Sequence, residues 1–87
     1  MTNQEFRRKA LQIVKQYALS HCDVTDNVTL GEDDVYVVWS CKTLQNSKAL
    51  ISTNLHDGMY YEVTLNGDKH EIYLDAYKKF ENKCIKL

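Results

Sequence analysis

From Val35 to Leu74 the apolar side chains recur at every second position, in four rows separated by turn residues. The rows are Val35, Val37, Trp39 and Cys41; Ala49, Ile51, Thr53 and Leu55; Met59, Tyr61, Val63 and Leu65; and Ile72 with Leu74. A period of two is the signature of strands with one greasy and one wet face. Gln45-Asn46-Ser47, Asp57-Gly58 and Asn66-Gly67 separate the rows. Asn-Gly is the strongest short hairpin signal, because both residues accept positive φ. Connections this short predict an antiparallel meander.

Register follows from turn length, since a slip of one residue sends every side chain to the other face. A two-residue Asn66-Gly67 turn sets Val63 opposite His70 and Tyr61 opposite Ile72. Three-residue turns at 45–47 and 56–58 set Cys41 opposite Ile51 and Ile51 opposite Val63. The expected inner face then has three rows: Val37, Leu55, Met59, Leu74; Trp39, Thr53, Tyr61, Ile72; and Cys41, Ile51, Val63, His70.

The flanks read as helices. Thr2-Asn3-Gln4-Glu5 is a capping box, in which the threonine oxygen takes the Glu5 amide and the glutamate reaches back to the cap. Phe6, Ala10, Ile13, Val14, Tyr17 and His21 follow at helical spacing, widened by Leu11 and Ala18, to an end near Cys22. Residues 23–34 are polar and acidic and read as a loop. Asp75 is placed to cap a second helix, with Tyr77, Phe80, Cys84 and Leu87 on one face. The expectation is one α+β domain spanning residues 1–87. It holds a four-stranded antiparallel meander with N- and C-terminal helices packed on one face.

Eighty-seven residues suit a single small core. A net charge of -1 supplies no overall positive field for nucleic acid or anionic lipid. No apolar run approaches the roughly 20 residues that span a bilayer, and the N-terminus lacks the apolar stretch of a signal peptide. Three widely spaced cysteines, an odd number, read as reduced thiols in a cytoplasmic protein.

The chemistry-bearing residues point to no reaction. In the expected register Cys41 sits in a core row, three strands or roughly 14 Å from His70, whereas a nucleophile and its base meet at about 3 Å. Zinc ligands come in tight spaced pairs, and the one close pair, His21-Cys22, is adjacent and diverges on a helix. Asp23, Asp26, Asn27 and Glu32–Asp34 match no calcium-loop register: starting at Asp26 places Gly31 correctly but puts Val28, Leu30 and Val37 at ligand positions. There is no G-x-S-x-G, no phosphate-cradling glycine loop and no visible cleft around paired carboxylates. A non-enzyme with no metal and no cofactor is expected.

The outer sheet face says more. The expected registers align Val38, Asn54, Tyr60 and Tyr73 in one row with Tyr36 one step beyond, and Ser40, Ser52, Glu62 and Glu71 in the next. Three tyrosines converging on a wetted face suggest a contact surface, although tyrosine is also a common strand residue. Glu62 and Glu71 would stand directly opposite, an arrangement that favours a partner's cation. The candidate binding residues are therefore Tyr36, Val38, Ser40, Asn54, Tyr60, Glu62, Glu71 and Tyr73, facing a protein partner. Val35 to Lys42 is an edge strand without a guarding proline, open to pairing in a homodimer. The rival reading places nucleic acid on Lys78, Lys79, Lys83 and Lys86 of the second helix, in the manner of a double-stranded RNA-binding domain. The acidic sheet face and the fourth strand speak against it.

The segments DDVYVVWSCKTLQNSKALIST, DGMYYE and NGDKHEIYLDAYKKFENK resemble a family of small uncharacterised proteins encoded by phages and prophages of Gram-positive bacteria. The W-S-C-K-T-L-Q-N and L-D-A-Y-K-K runs carry most of the resemblance. It implies a cytosolic, phage-encoded origin and a domain of unknown function, and it supplies no catalytic residues.

Overall fold

The structure, a computed structural model, describes residues 1–21 and 30–87. The first helix ends at Ser20 with His21 as its cap, just short of the expected Cys22, and the loop positions Asp23, Asp26 and Asn27 lie outside the described residues. Among the described residues, one helix, α1 (Asn3–Ser20), precedes one 3-10 turn (Glu32–Asp34) and four strands. The strands are β1 (Val35–Thr43), β2 (Asn46–Thr53), β3 (Met59–Asn66) and β4 (Glu71–Lys78). They form one antiparallel sheet in the order β1-β2-β3-β4, the α+β meander the alternation predicts.

Thr2 caps α1, its Oγ1 accepting the Glu5 amide at 3.1 Å. Glu5 does not reach back to the cap amide as the capping box predicts; its carboxylate accepts the Thr2 hydroxyl instead, at 3.1 Å. Phe6, Ala10, Val14 and Ala18 are the buried stripe. A repeat of four on a 3.6-residue helix drifts sideways, so the stripe winds obliquely, and α1 packs chiefly on β1 and β2 and reaches β3. Its C-terminal end is held at Tyr17, whose ring stacks on His21 at 4.0 Å and meets Tyr61 edge-on at 5.7 Å. Against the helix lie Val35, Ala49, Ile51, Tyr61, Val63 and Leu65, all buried, with Val37, Ile72 and Leu74 partly so.

The turns differ from those expected, and so do the registers. Strand β1 turns into β2 through Leu44-Gln45, with Thr43 opposite Asn46 and Leu44 at φ 56°. The β2–β3 connection occupies residues 54–58, with Gly58 at φ 70°, and sets Ile51 opposite Tyr61 rather than Val63. Asn66-Gly67 is not a two-residue hairpin. The Asn66 side-chain oxygen accepts from the amides of Asp68 (3.2 Å) and Lys69 (3.3 Å), and the turn closes at His70 with φ 51°. This side chain-to-backbone turn slides β4 by four residues, so Val63 faces Leu74 and Tyr61 faces Ala76. Slides of two and four preserve parity, which leaves Ile51, Thr53, Tyr61, Val63, Ile72 and Leu74 on the expected face. His70 leaves the core row for the exposed turn.

One irregularity does change parity. Between Val37 and Trp39 the β1 register shifts by one: Val37 faces Ile51, but Trp39 faces Leu50 and Cys41 faces Lys48. A bulged residue at Val38 rotates the rest of β1 by half a period. Trp39, 45% exposed, and Cys41, also exposed, therefore lie outside the core in which the unbroken alternation put them. Ser40 and Lys42 take the helix side, where both remain exposed.

The second helix is absent. Asp75 caps nothing; it stands mid-strand opposite Glu62, and β4 runs on to Lys78. The physical reason is that β3 needs a partner along its whole length, whereas an isolated helix of about a dozen residues is marginal in water. Residues 79–87 continue as an arm without helix or strand, every residue exposed.

Candidate functional site

Directly paired residues share a face, so the ladders define the surface opposite α1. One row is Tyr36, Ser52, Tyr60 and Tyr77; the next is Trp39, Leu50, Glu62 and Asp75; a third is Cys41, Lys48, Thr64 and Tyr73. Four tyrosines and the only tryptophan thus occupy one side of the sheet. Tyr36, Trp39, Tyr73 and Tyr77 are exposed, and Tyr60 is half-buried between its row-mates. The remaining tyrosines, Tyr17 and Tyr61, belong to the helix side.

The eight residues expected to bind fare unequally. Tyr36 and Tyr60 share the expected face, and also one row, two strands apart across Ser52, where the expected registers set Tyr36 one step beyond. Val38 sits at the bulge, 48% exposed. Tyr73 does not join Tyr60; it faces Thr64, and Tyr77 takes its place. Ser40 falls on the helix side. Asn54 leaves the sheet altogether. Its side-chain amide donates to Asp34 Oδ1 at 3.0 Å and its backbone amide to the Asp34 carbonyl at 2.9 Å, tying the β2–β3 loop to the entry of β1. The Asn54 side chain, with the Gly31 amide at 2.8 Å, holds the Asp34 carboxyl below its ordinary value.

Glu62 and Glu71 are not opposite one another. Glu71 faces Asn66 at the far end of the sheet and accepts the Tyr73 hydroxyl, a bond that pushes the Tyr73 phenol above its ordinary value. Glu62 faces Asp75, so the like-charge pair exists with a different partner. Lys48 answers it, its Nζ 3.0 Å from Glu62 Oε1, and that contact raises the Lys48 ammonium above its usual value. Asp75 makes no ion pair among the described residues.

Trp39, Leu50 and Tyr77 were missed by sequence reasoning. Tyr77 had a signal: Glu71, Tyr73, Asp75 and Tyr77 alternate strictly with Ile72, Leu74 and Ala76, which is strand rather than helix periodicity. Trp39 had none, because a bulge does not change the pattern that precedes it.

A family model matches residues 7–87. The chain belongs to the family of unknown function DUF6275. The family match takes in all four strands, most of α1 and the arm, so the aromatic face and the exposed C-terminal segment both fall within it. Neither the curated proteins nor the solved structures contain a match to this chain.

Proposed function

We propose that this DUF6275 protein is a non-catalytic binding protein whose sheet face opposite α1 holds a protein partner. The observation that carries the reading is the gathering of Trp39, Tyr36, Tyr60, Tyr73 and Tyr77 on that face. Tryptophan and tyrosine give large contact area at low entropic cost and dominate interface energetics. A rigid sheet pre-organises them, so little ordering is required on binding. Asp75, facing Glu62 without an ion pair of its own among the described residues, adds a preference for a partner arginine or lysine over the aromatic patch. Exposed Cys41 and Cys84 fit a reducing cytosol, and the resemblance of the W-S-C-K-T-L-Q-N run supports a phage or prophage setting.

The test is capture on the immobilised chain, identification of the bound protein by mass spectrometry, and titration of that purified protein against variants. Trp39→Ser and Tyr77→Ser should each leave the circular dichroism of the chain intact and weaken binding by about tenfold or more. Undiminished affinity in both variants would refute the assignment. A parallel titration with duplex RNA at two salt concentrations measures the lysine-based rival, which requires a steep salt slope.

A further inference from the structure

We propose that the arm of residues 79–87 docks against the β1 edge of a second copy of this chain and extends its sheet by one strand. The arm is already shaped for this. The Lys79 amide donates to the Gly58 carbonyl at 2.6 Å, so the chain leaves β4 still extended. Glu81 and Lys83, two residues apart, approach to 3.7 Å, as neighbours on one face of a strand do. Yet nothing among the described residues covers it: Phe80 is 99% and Ile85 79% exposed, and Leu87 is exposed as well. The Cα radius of gyration is 14.4 Å, against about 12 Å for a compact chain of this length.

The receiving surface lies at the other edge of the sheet. β1 is hydrogen-bonded only to β2, and among the described residues its outer edge is unpaired. Between that edge and α1 runs an open groove of about 780 Å³ lined by Leu11, Val35 and Val37, with Glu32 and Asp33 beside them and Arg7 on the helix wall. On an added strand Ile85 and Leu87 fall on one face and Phe80 and Cys84 on the other. In a parallel pairing with Ile85 opposite Val35 and Leu87 opposite Val37, the first pair faces Leu11 across the groove. The groove holds Arg7 and Arg8 as well as Glu32 and Asp33, so the charge match is local: Lys83, two residues before Ile85 and on the same face, falls beside Glu32 and Asp33.

The arm of the same molecule is badly placed to serve. It departs from β4, three strand spacings or roughly 14 Å from β1, and residues 79–87 contain neither glycine nor proline to reverse it. A second copy needs no reversal. Because the two docking surfaces differ, the contact is heterologous; it closes as a reciprocal exchange of arms or continues as a chain of copies.

Sedimentation velocity on the full chain, from micromolar to millimolar concentration, tests this. Reversible self-association is expected. It should weaken by about tenfold or more in the Ile85→Glu/Leu87→Glu double variant and in Glu32→Lys/Asp33→Lys. Circular dichroism of these variants should match the parent, since the residues changed are exposed in the monomer. A monomer at every concentration overturns the proposal, including the case in which hydrogen exchange finds the arm folded back on its own sheet. Association untouched by both double variants overturns it too, because the copies would then meet through another surface.

Discussion

Trp39 lies opposite Leu50 on the side of the sheet away from α1, turned there by the register shift after Val37. Its emission in the native protein should therefore resemble that of a wetted indole and be readily quenched by acrylamide. Trp39→Ser should cost no more than about 1.5 kcal/mol of stability, the range of a half-exposed position. A blue-shifted, quencher-resistant emission would put the ring beneath the helix and restore an unbroken β1 register.

Gly67 is needed for space rather than for positive φ. A Cβ built there would stand 2.0 Å from the Gln45 carbonyl oxygen, where the β3–β4 turn crosses the β1–β2 turn. Gln45 Nε2 donates to Asp68 Oδ1 at 2.5 Å and the Gly67 amide to Asn46 Oδ1 at 3.1 Å, locking the two turns together. Gly67→Ala must separate them, with an expected loss of about 2 kcal/mol in urea unfolding. An unchanged midpoint would show that the turns do not touch.

The two phenylalanines divide cleanly. Phe6 is 2% exposed and Phe80 99%. Phe6→Ala should cost about 3–4 kcal/mol by transfer and cavity formation, most of the stability of a chain this small. Phe80→Ala, measured where the chain is monomeric, should change stability by less than about 0.5 kcal/mol. Comparable losses at the two sites would mean that the C-terminal segment packs on the core after all.

Asp34 is expected to make folding sensitive to acid. Hydrogen bonds from the Asn54 side chain and the Gly31 amide lower its carboxyl below the ordinary value of 3.8. A depressed native value means the unfolded chain binds the proton more readily. The stabilisation is therefore complete above the ordinary value and disappears as pH falls through the depressed one. Asp34→Asn should flatten the stability profile in that acid window and leave its shape near neutrality unaltered. A variant whose profile still falls as steeply there would assign the acid sensitivity to another carboxylate.

Much of the candidate surface was legible. Tyr36, Tyr60 and Glu62 share the face that parity assigned them, because the turns at 54–58 and 67–70 changed register by even steps. Tyr73 was misplaced by these slides, which keep the face and alter the neighbour, whereas Asn54 left the sheet for the β2–β3 loop. Ser40 and Trp39 exchanged sides through one bulged position, which no property of the residues on either side announces.

What the chain's own sequence determined is local: the capped amphipathic helix, the period-two rows and their polar separators, each set by backbone sterics and by the face a short segment can bury. Tertiary structure alone decided the rest. Gln45 and Asn46 hold the β3–β4 turn against the β1–β2 turn from more than twenty residues away, and the demand of β3 for a partner along its second edge decided for strand over the predicted helix at Asp75–Lys78. Hydrogen-bond pairing between strands joins residues far apart in sequence, so its outcome is written in the assembled sheet and not in any one segment of it.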